Sequence, residues 1–144
     1  MEPEATPRHT FSKQERLYLK QRINALLAGG ESFVSYPLRV IFRLSERLDG
    51  EPPARVAVSV SKKRFKRAVD RNRVKRLTRE AFRLNKHHLH DLLPADQGAD
   101  ILLIYLAETI ADFTKLEKTM KHAFKKMRGI MVAKGDNIPA PDPR

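Results

Sequence analysis

The chain has no cysteine. That absence excludes a disulfide framework, a thiolate nucleophile and a cysteine-ligated zinc, and it suits a reducing cytoplasm. Long apolar runs are also missing: the longest, Ile101 to Ala107, is seven residues, against the ~20 needed to span a bilayer. The first ten residues carry two acids and two prolines and no apolar core of the kind a secretory signal requires. The expected location is therefore cytoplasmic, with no membrane-spanning segment. The most consequential shortage is of acid. Lys and Arg number 29 against 17 Asp and Glu, a formal charge of +12 on 144 residues. Charge of one sign repels itself in the compact state unless a polyanion relieves it. Nucleic acid is the first such partner to consider, an anionic membrane surface the second, and a merely well-solvated charged surface the third.

What is present fits one domain. Hydrophobic residues make up 41% of the chain, enough for a core, and charged residues 32%, above the usual quarter. Residues 1–9 and 133–144 are rich in proline and polar residues and are expected to be disordered tails, which leaves a domain over residues 10–132.

The order of elements follows from periodicity. Ser12 with Glu15 fits a capping box, and Leu19, Ile23, Leu26 and Leu27 recur at helical spacing until Gly29-Gly30 stops them. Residues 32–36 suit a short strand. Leu38, Val40, Phe42 and Leu44 alternate with Arg39, Ile41 and Arg43, which predicts a half-buried strand with a partly basic second face. Asp49-Gly50-Glu51-Pro52-Pro53 reads as a hairpin connection into a strand where Val56, Val58 and Val60 alternate with Ala57, Ser59 and Ser61. Val74, Leu77, Ala81 and Leu84 form a narrow apolar arc of a helix over residues 68–84, with Asn72, Lys75, Arg76, Arg79 and Arg83 opposite. Residues 100–107 suit a central strand covered on both faces. Phe113, Leu116, Met120, Ala123, Phe124 and Met127 mark a last amphipathic helix. The implied fold is α+β, a two-layer α/β sandwich in the order αβββαβα.

Between Lys62 and Arg83 there are eleven Lys and Arg but only Asp70 and Glu80 as acids. Like charges one helical turn apart, such as Arg71 with Lys75 and Arg79 with Arg83, destabilise a helix by a few tenths of a kcal/mol each. An external anion is the natural compensation. Arginine predominates within the helix, and its planar fork suits two-point contact with phosphate. A solvated basic face normally interleaves acids, which are scarce here.

Ser61-Lys62-Lys63 followed by Ala68-Val69-Asp70-Arg71-Asn72-Arg73-Val74-Lys75-Arg76, with Arg79-Glu80-Ala81-Phe82-Arg83 beyond, resembles the signature of the bacterial ribonuclease P protein family. Glu15-Arg16-Leu17 and the order of the remaining elements extend the resemblance over residues 11–128. It implies one mixed sheet with a left-handed crossover into the basic helix. It also implies an RNA-assisted endoribonuclease in which a catalytic RNA, using Mg2+ that it binds itself, removes the 5′ leader from precursor tRNA. The protein alone would be inert and would hold no metal stably. Carried over by position, Lys62, Lys63, Arg67, Arg71, Asn72, Arg73, Lys75 and Arg76 would meet the catalytic RNA, with Arg79 and Arg83 extending that face. The leader would lie against Phe42, with Ile41, Phe33, Ser59 and Ser61 nearby, although Phe42 suits a core position equally well. Family members often carry aromatic residues on the first helix where this chain has Ile23 and Leu27, so these two are expected to meet the leader from that side by apolar contact in place of stacking.

His87, His88 and His90 are expected to form a surface cluster just beyond the basic helix, since only Asp91 accompanies them and no metalloprotease spacing is present. Gly29-Gly30 lacks the Lys-Ser/Thr continuation of a phosphate loop, and no Ser-His-Asp arrangement stands out. Two competing functions remain on sequence grounds. One is a structural ribosomal or ribonucleoprotein-assembly protein without a part in cleavage. The other is a DNA-binding regulator that inserts its basic helix in a major groove; for this chain structured RNA is the expected partner and DNA is not.

Overall fold

The computed structural model describes residues 20–47, 52–93 and 96–133. The capping box expected at Ser12 and Glu15, both tails and the Asp49-Gly50-Glu51 stretch lie outside them. The described elements are α1 (Lys20–Gly29), β1 (Glu31–Ser35), β2 (Leu38–Glu46), β3 (Ala54–Ser59), α2 (Ala68–His90), β4 (Gln97–Tyr105) and α3 (Phe113–Ala133). This is the αβββαβα order of an α+β fold.

The glycine pair ends α1 as its position suggests. Gly30 N–H donates to the Leu26 carbonyl at 2.8 Å. A Cβ at Gly30 would stand 2.6 Å from that same carbonyl oxygen and 3.0 Å from Ile41 Cγ2. Glycine is thus required where the helix end is pressed onto the sheet.

The sheet has the order β1-β2-β4-β3. β1 pairs antiparallel with β2, β2 antiparallel with β4, and β4 parallel with β3. The expected hairpin between β2 and β3 is therefore corrected: β4 lies between them. The physical reason is burial. β4 is buried along nearly its whole length, including Ala99, Ile101, Leu102 and Leu103, and a strand apolar on both faces belongs in the middle of a sheet. β3 is left on the outside, and α2 carries the chain from it back to its parallel neighbour.

Alternation then sorts the side chains. Leu38, Val40 and Phe42 of β2, Val56 and Val58 of β3, and Ile101, Leu103 and Tyr105 of β4 share one face and form the main core with α2 and α3. The opposite face carries a smaller cluster, Ile41 and Leu102 under Leu26 of α1. The two-layer sandwich thus gains a partial third layer from α1.

α2 runs to His90, six residues beyond the apolar arc that ends at Leu84. The helix expected over residues 68–84 therefore continues through Asn85-Lys86-His87-His88. In the fold Asn85 is 3% exposed, and its amide donates to the Ala81 carbonyl at 2.8 Å and to Glu117 Oε1 of α3 at 3.2 Å. A satisfied polar group can be buried at little net cost, and Leu89, fully buried one turn on, continues the apolar seam.

Candidate nucleic-acid interface

The passage from β3 into α2 is a tight basic turn. The Ser61 carbonyl accepts the N–H groups of Arg64 and Phe65, each at 3.2 Å. Phe65 is buried, its ring 6.0 Å from that of Tyr105. That anchor leaves Lys62 and Lys63 exposed at the tip and Lys66 and Arg67 exposed beyond it. Arg67 is the N-cap of α2 in extended conformation and makes no capping hydrogen bond from its side chain. It forms a loose ion pair with Asp70 at 3.6 Å instead.

Within α2 the basic residues do different jobs. Val74, Thr78, Ala81 and Phe82 are buried against the sheet and α3, and Thr78 returns its hydroxyl to the Val74 carbonyl at 2.8 Å. Asn72, Arg73 and Arg76 are exposed and Lys75 half-buried. Lys62, Lys63, Arg73, Lys75 and Arg76 make no hydrogen bond or ion pair among the described residues. Arg71 is different: its Nη1 donates to the carbonyls of Phe65 and Lys66, each at 2.9 Å. It clamps the turn to the first helical turn. Arg79 and Arg83 are half-buried. Arg83 pairs with Glu80, whose carboxyl that guanidinium holds below the usual carboxylate range. The basic surface free to meet an anion therefore centres on the turn and the first two turns of α2.

The second face of the sheet is built in cross-strand rows. Asp100 lies between Arg43 and Arg55, Leu102 between Ile41 and Ala57, and Ile104 between Arg39 and Ser59. α1 covers the first two rows. Leu26 packs on Ile41 and Leu102, with Ile23 beside it. Arg22 Nη1 reaches the nearly buried Asp100 carboxylate at 3.2 Å. The third row is more open: Ser59 and Arg39 are exposed and Ile104 half-buried. Leu27 of α1 is 58% exposed. The Arg22 contact to Asp100 has no local sequence signal, since the two residues are 78 positions apart. Arg39 was legible only as part of a basic strand face.

The leader position expected for Phe42 is corrected. Phe42 is 2% exposed, on the face covered by α2 and α3. Its neighbour Phe33 meets it edge-on at 6.1 Å and lies on that same face. Neither ring is open to a base from the α1 side. Ile41 is on the α1 face, as is Ser59, while Ser61 is exposed in the turn leading to α2. Of the histidines, His87, His88 and His90 belong to the last turn of α2 rather than following it. The His87 and His88 rings lie 4.0 Å apart. Burial, His87 and Lys121 push His88 below the ordinary histidine range. Among the described residues no three His, Asp or Glu side chains come together as a metal site.

This geometry has close counterparts. The family model described as Ribonuclease P matches residues 11–128. The ribonuclease P protein component of Porphyromonas gingivalis strain W83 is 45% identical over 124 residues, covering 85% of this chain and 90% of the relative. That of Chlorobaculum tepidum is 33% identical over 117 residues, covering 75% and 76%. The solved ribonuclease P protein of Thermotoga maritima superposes with a TM-score of 0.60 at 26% identity over 78% of this chain and 96% of that one. The Staphylococcus aureus protein, at 24% identity and the same TM-score of 0.60, shares the fold over 78% of this chain and 94% of its own. With the family model spanning residues 11–128 and a relative 45% identical aligned over 90% of its own length, the chain belongs to the ribonuclease P protein family.

Proposed function

We propose that this chain, as the protein component of the ribonucleoprotein endoribonuclease ribonuclease P, docks the catalytic RNA on the start of α2 and holds the 5′ leader of precursor tRNA on the open row of the sheet. One observation carries the reading. Lys62, Lys63, Arg73, Lys75 and Arg76, without a hydrogen bond or ion pair among the described residues, project from a turn and helix whose internal bonds are made by other groups. Preorganised cations without acids to neutralise them match a phosphate backbone.

The row of Arg39, Ile104 and Ser59 supplies charge, an apolar surface and a hydroxyl to a single strand, and Leu27 adds apolar contact from α1. With no aromatic ring on this face from Phe42 or Phe33, the grip is apolar and electrostatic rather than stacking. Hydrolysis belongs to the RNA, with Mg2+ that the RNA binds. The protein contributes by lowering phosphate repulsion where RNA, leader and metal converge. A cytoplasmic location fits this partnership, and among the described residues no helix is long and apolar enough to cross a membrane.

Reconstitution tests the proposal. The protein is added to a bacterial ribonuclease P RNA at low magnesium, and processing of precursor tRNA is followed. Clear stimulation over RNA alone is expected. Absence of stimulation, with tight RNA binding retained, would move the chain to a purely structural ribonucleoprotein role. Tighter binding to duplex DNA than to structured RNA at matched salt would favour the regulator.

A further inference from the structure

The outer side of α3 carries a row of lysines. By spacing, Lys118, Lys121 and Lys125 fall within about 60° of one another on the helix, opposite Leu116, Met120, Phe124 and Met127, which are buried in the core. All three lysines are exposed and make no hydrogen bond or ion pair among the described residues. The row covers roughly 10 Å of helix. Glu117, the one acid between Phe113 and Arg128, accepts from the buried Asn85 amide of α2 at 3.2 Å and so is turned toward the neighbouring helix. Like charges one turn apart weaken the helix that carries them unless an anion relieves them.

α3 packs along the second half of α2. Phe82 meets Phe124 edge-on at 6.1 Å. Burial, His87 and Lys121 together hold His88 below the ordinary histidine range, against the opposing effect of Asp91, which places Lys121 beside the end of α2. His88 is roughly 18 Å along that helix from Arg76. The lysine row is therefore a second basic surface on the helical layer, at the far end of α2 from the first. The sheet separates it from the row of Arg39, Ile104 and Ser59, because α2 and α3 cover one face of the sheet and that row is on the other.

The chemistry of the surface narrows what can cover it. Among the described residues the exposed large apolar side chains are Leu27, Val34, Tyr36 and Val69, and none lies on α3 or the second half of α2. A helix at a membrane surface inserts an apolar face, and that of α3 is already in the core. A protein partner would look for aromatic or aliphatic anchors, and an unpaired strand for a ring to stack on. Ammonium groups alone suit the phosphates of a paired RNA, whose base faces are turned inward.

We infer that Lys118, Lys121 and Lys125 form a second docking surface for the catalytic RNA, taking the phosphate backbone of a paired segment while the start of α2 holds another part of the same molecule. The inference rests on the partnership with that RNA proposed above. Precursor tRNA is not the occupant, because its leader is placed on the other side of the sheet.

The test uses the full chain and a bacterial ribonuclease P RNA, with affinity measured over a series of salt concentrations. Lys118→Gln, Lys121→Gln and Lys125→Gln combined should weaken binding roughly 10- to 100-fold at moderate salt and lower the salt slope by about 2–3 log units per log salt, three contacts' share. Arginine at the same three positions should preserve affinity and slope. Circular dichroism should show both variants folded, since the positions are exposed and the new residues are good helix formers. Arg73→Ala with Arg76→Ala should weaken binding independently, the two losses multiplying. Gly129 is exposed on the same side of α3 by spacing, and a Cβ there would meet nothing within 4 Å. Because the chain has no cysteine, Gly129→Cys offers a single thiol for an iron chelate, whose hydroxyl radicals should cut paired segments of the bound RNA. Wild-type affinity and slope in the folded glutamine variant would overturn the inference. So would absence of cutting from Gly129→Cys in a tight complex, equal weakening by the arginine variant, or a loss of affinity for precursor tRNA in place of the catalytic RNA. Unchanged affinity in Arg73→Ala with Arg76→Ala, beside a loss in the glutamine variant, would remove the α2 docking site and leave this surface standing.

Discussion

Arg71 donates from its guanidinium to the Phe65 carbonyl at 2.9 Å, and so ties the first turn of α2 to the basic turn before it. The same nitrogen reaches the Lys66 carbonyl. Arg71 and Arg73 are two positions apart in one triplet, yet of the two only Arg73 makes no hydrogen bond or ion pair among the described residues. Arg71→Ala is expected to lower stability by about 1 kcal/mol, the value of a charge-assisted bond discounted for partial exposure. It should also weaken RNA binding by loosening the turn. Arg73→Ala should leave the melting temperature nearly unchanged and reduce the salt dependence of RNA affinity by about 0.7–0.9 log units per log salt, one contact's share. Thermal melts and salt titrations of both variants check this; identical behaviour of the two would contradict the division of labour.

Variants at Phe42 and Ser59 are expected to separate stability from the proposed leader binding. Phe42→Ala removes a fully buried ring and should cost about 3–5 kcal/mol, with equal effects on every substrate. Ser59→Arg and Leu27→Glu alter exposed positions on the α1 side. They should leave stability within about 0.5 kcal/mol while changing affinity for leader-bearing precursor relative to mature tRNA. A precursor-to-mature ratio unmoved by both exposed variants would place the leader elsewhere.

Asp100 is the acid that holds α1 by charge. Asp100→Asn keeps the shape and removes the ion pair with Arg22, in a cross-strand row where Arg43 and Arg55 flank Asp100. Because Arg22 is partly exposed, the expected cost is only about 1 kcal/mol. The sharper readout is local: amide exchange in α1 should accelerate while that in β4 stays slow. Arg22→Ala should give the same pattern. Unchanged α1 exchange in both would show that Leu26 and Ile23 alone secure the helix.

Stability is expected to depend on pH through His88. Its folded-state value is lowered by burial and by the neighbouring His87 and Lys121, partly offset by Asp91. The unfolded chain therefore binds a proton more readily than the folded one. Stability is complete above the ordinary histidine range and falls as pH drops through it toward the lowered folded value. His88→Gln should flatten this part of the profile, measured by denaturant unfolding from neutral to mildly acidic pH. A profile unchanged by the substitution would assign the dependence to other groups.

The helical and strand periods were legible because each depends on a repeat within a few residues. Leu38, Val40 and Phe42 announce β2, and Val74 with Ala81 announces the buried side of α2. The end of α2 was not legible, because burial of Asn85 depends on Glu117 in another helix. The order of β3 and β4 was hidden for a similar reason: adjacency in sequence favours a β2–β3 hairpin, whereas burial of both faces of β4 places it between them.

By itself, then, the sequence determined the charge, the αβββαβα order, the family resemblance and the basic segment that begins at Lys62, since composition, period and motif are properties of neighbouring residues. Tertiary structure alone decided which cations are free. It spends Arg71 on the Phe65 and Lys66 carbonyls and Arg83 on Glu80, and it leaves Arg73 and Arg76 without a partner among the described residues. It also decided which face each strand residue joins, sending Phe42 into the core and Ile41 toward α1. Packing between distant segments sets exposure and pairing.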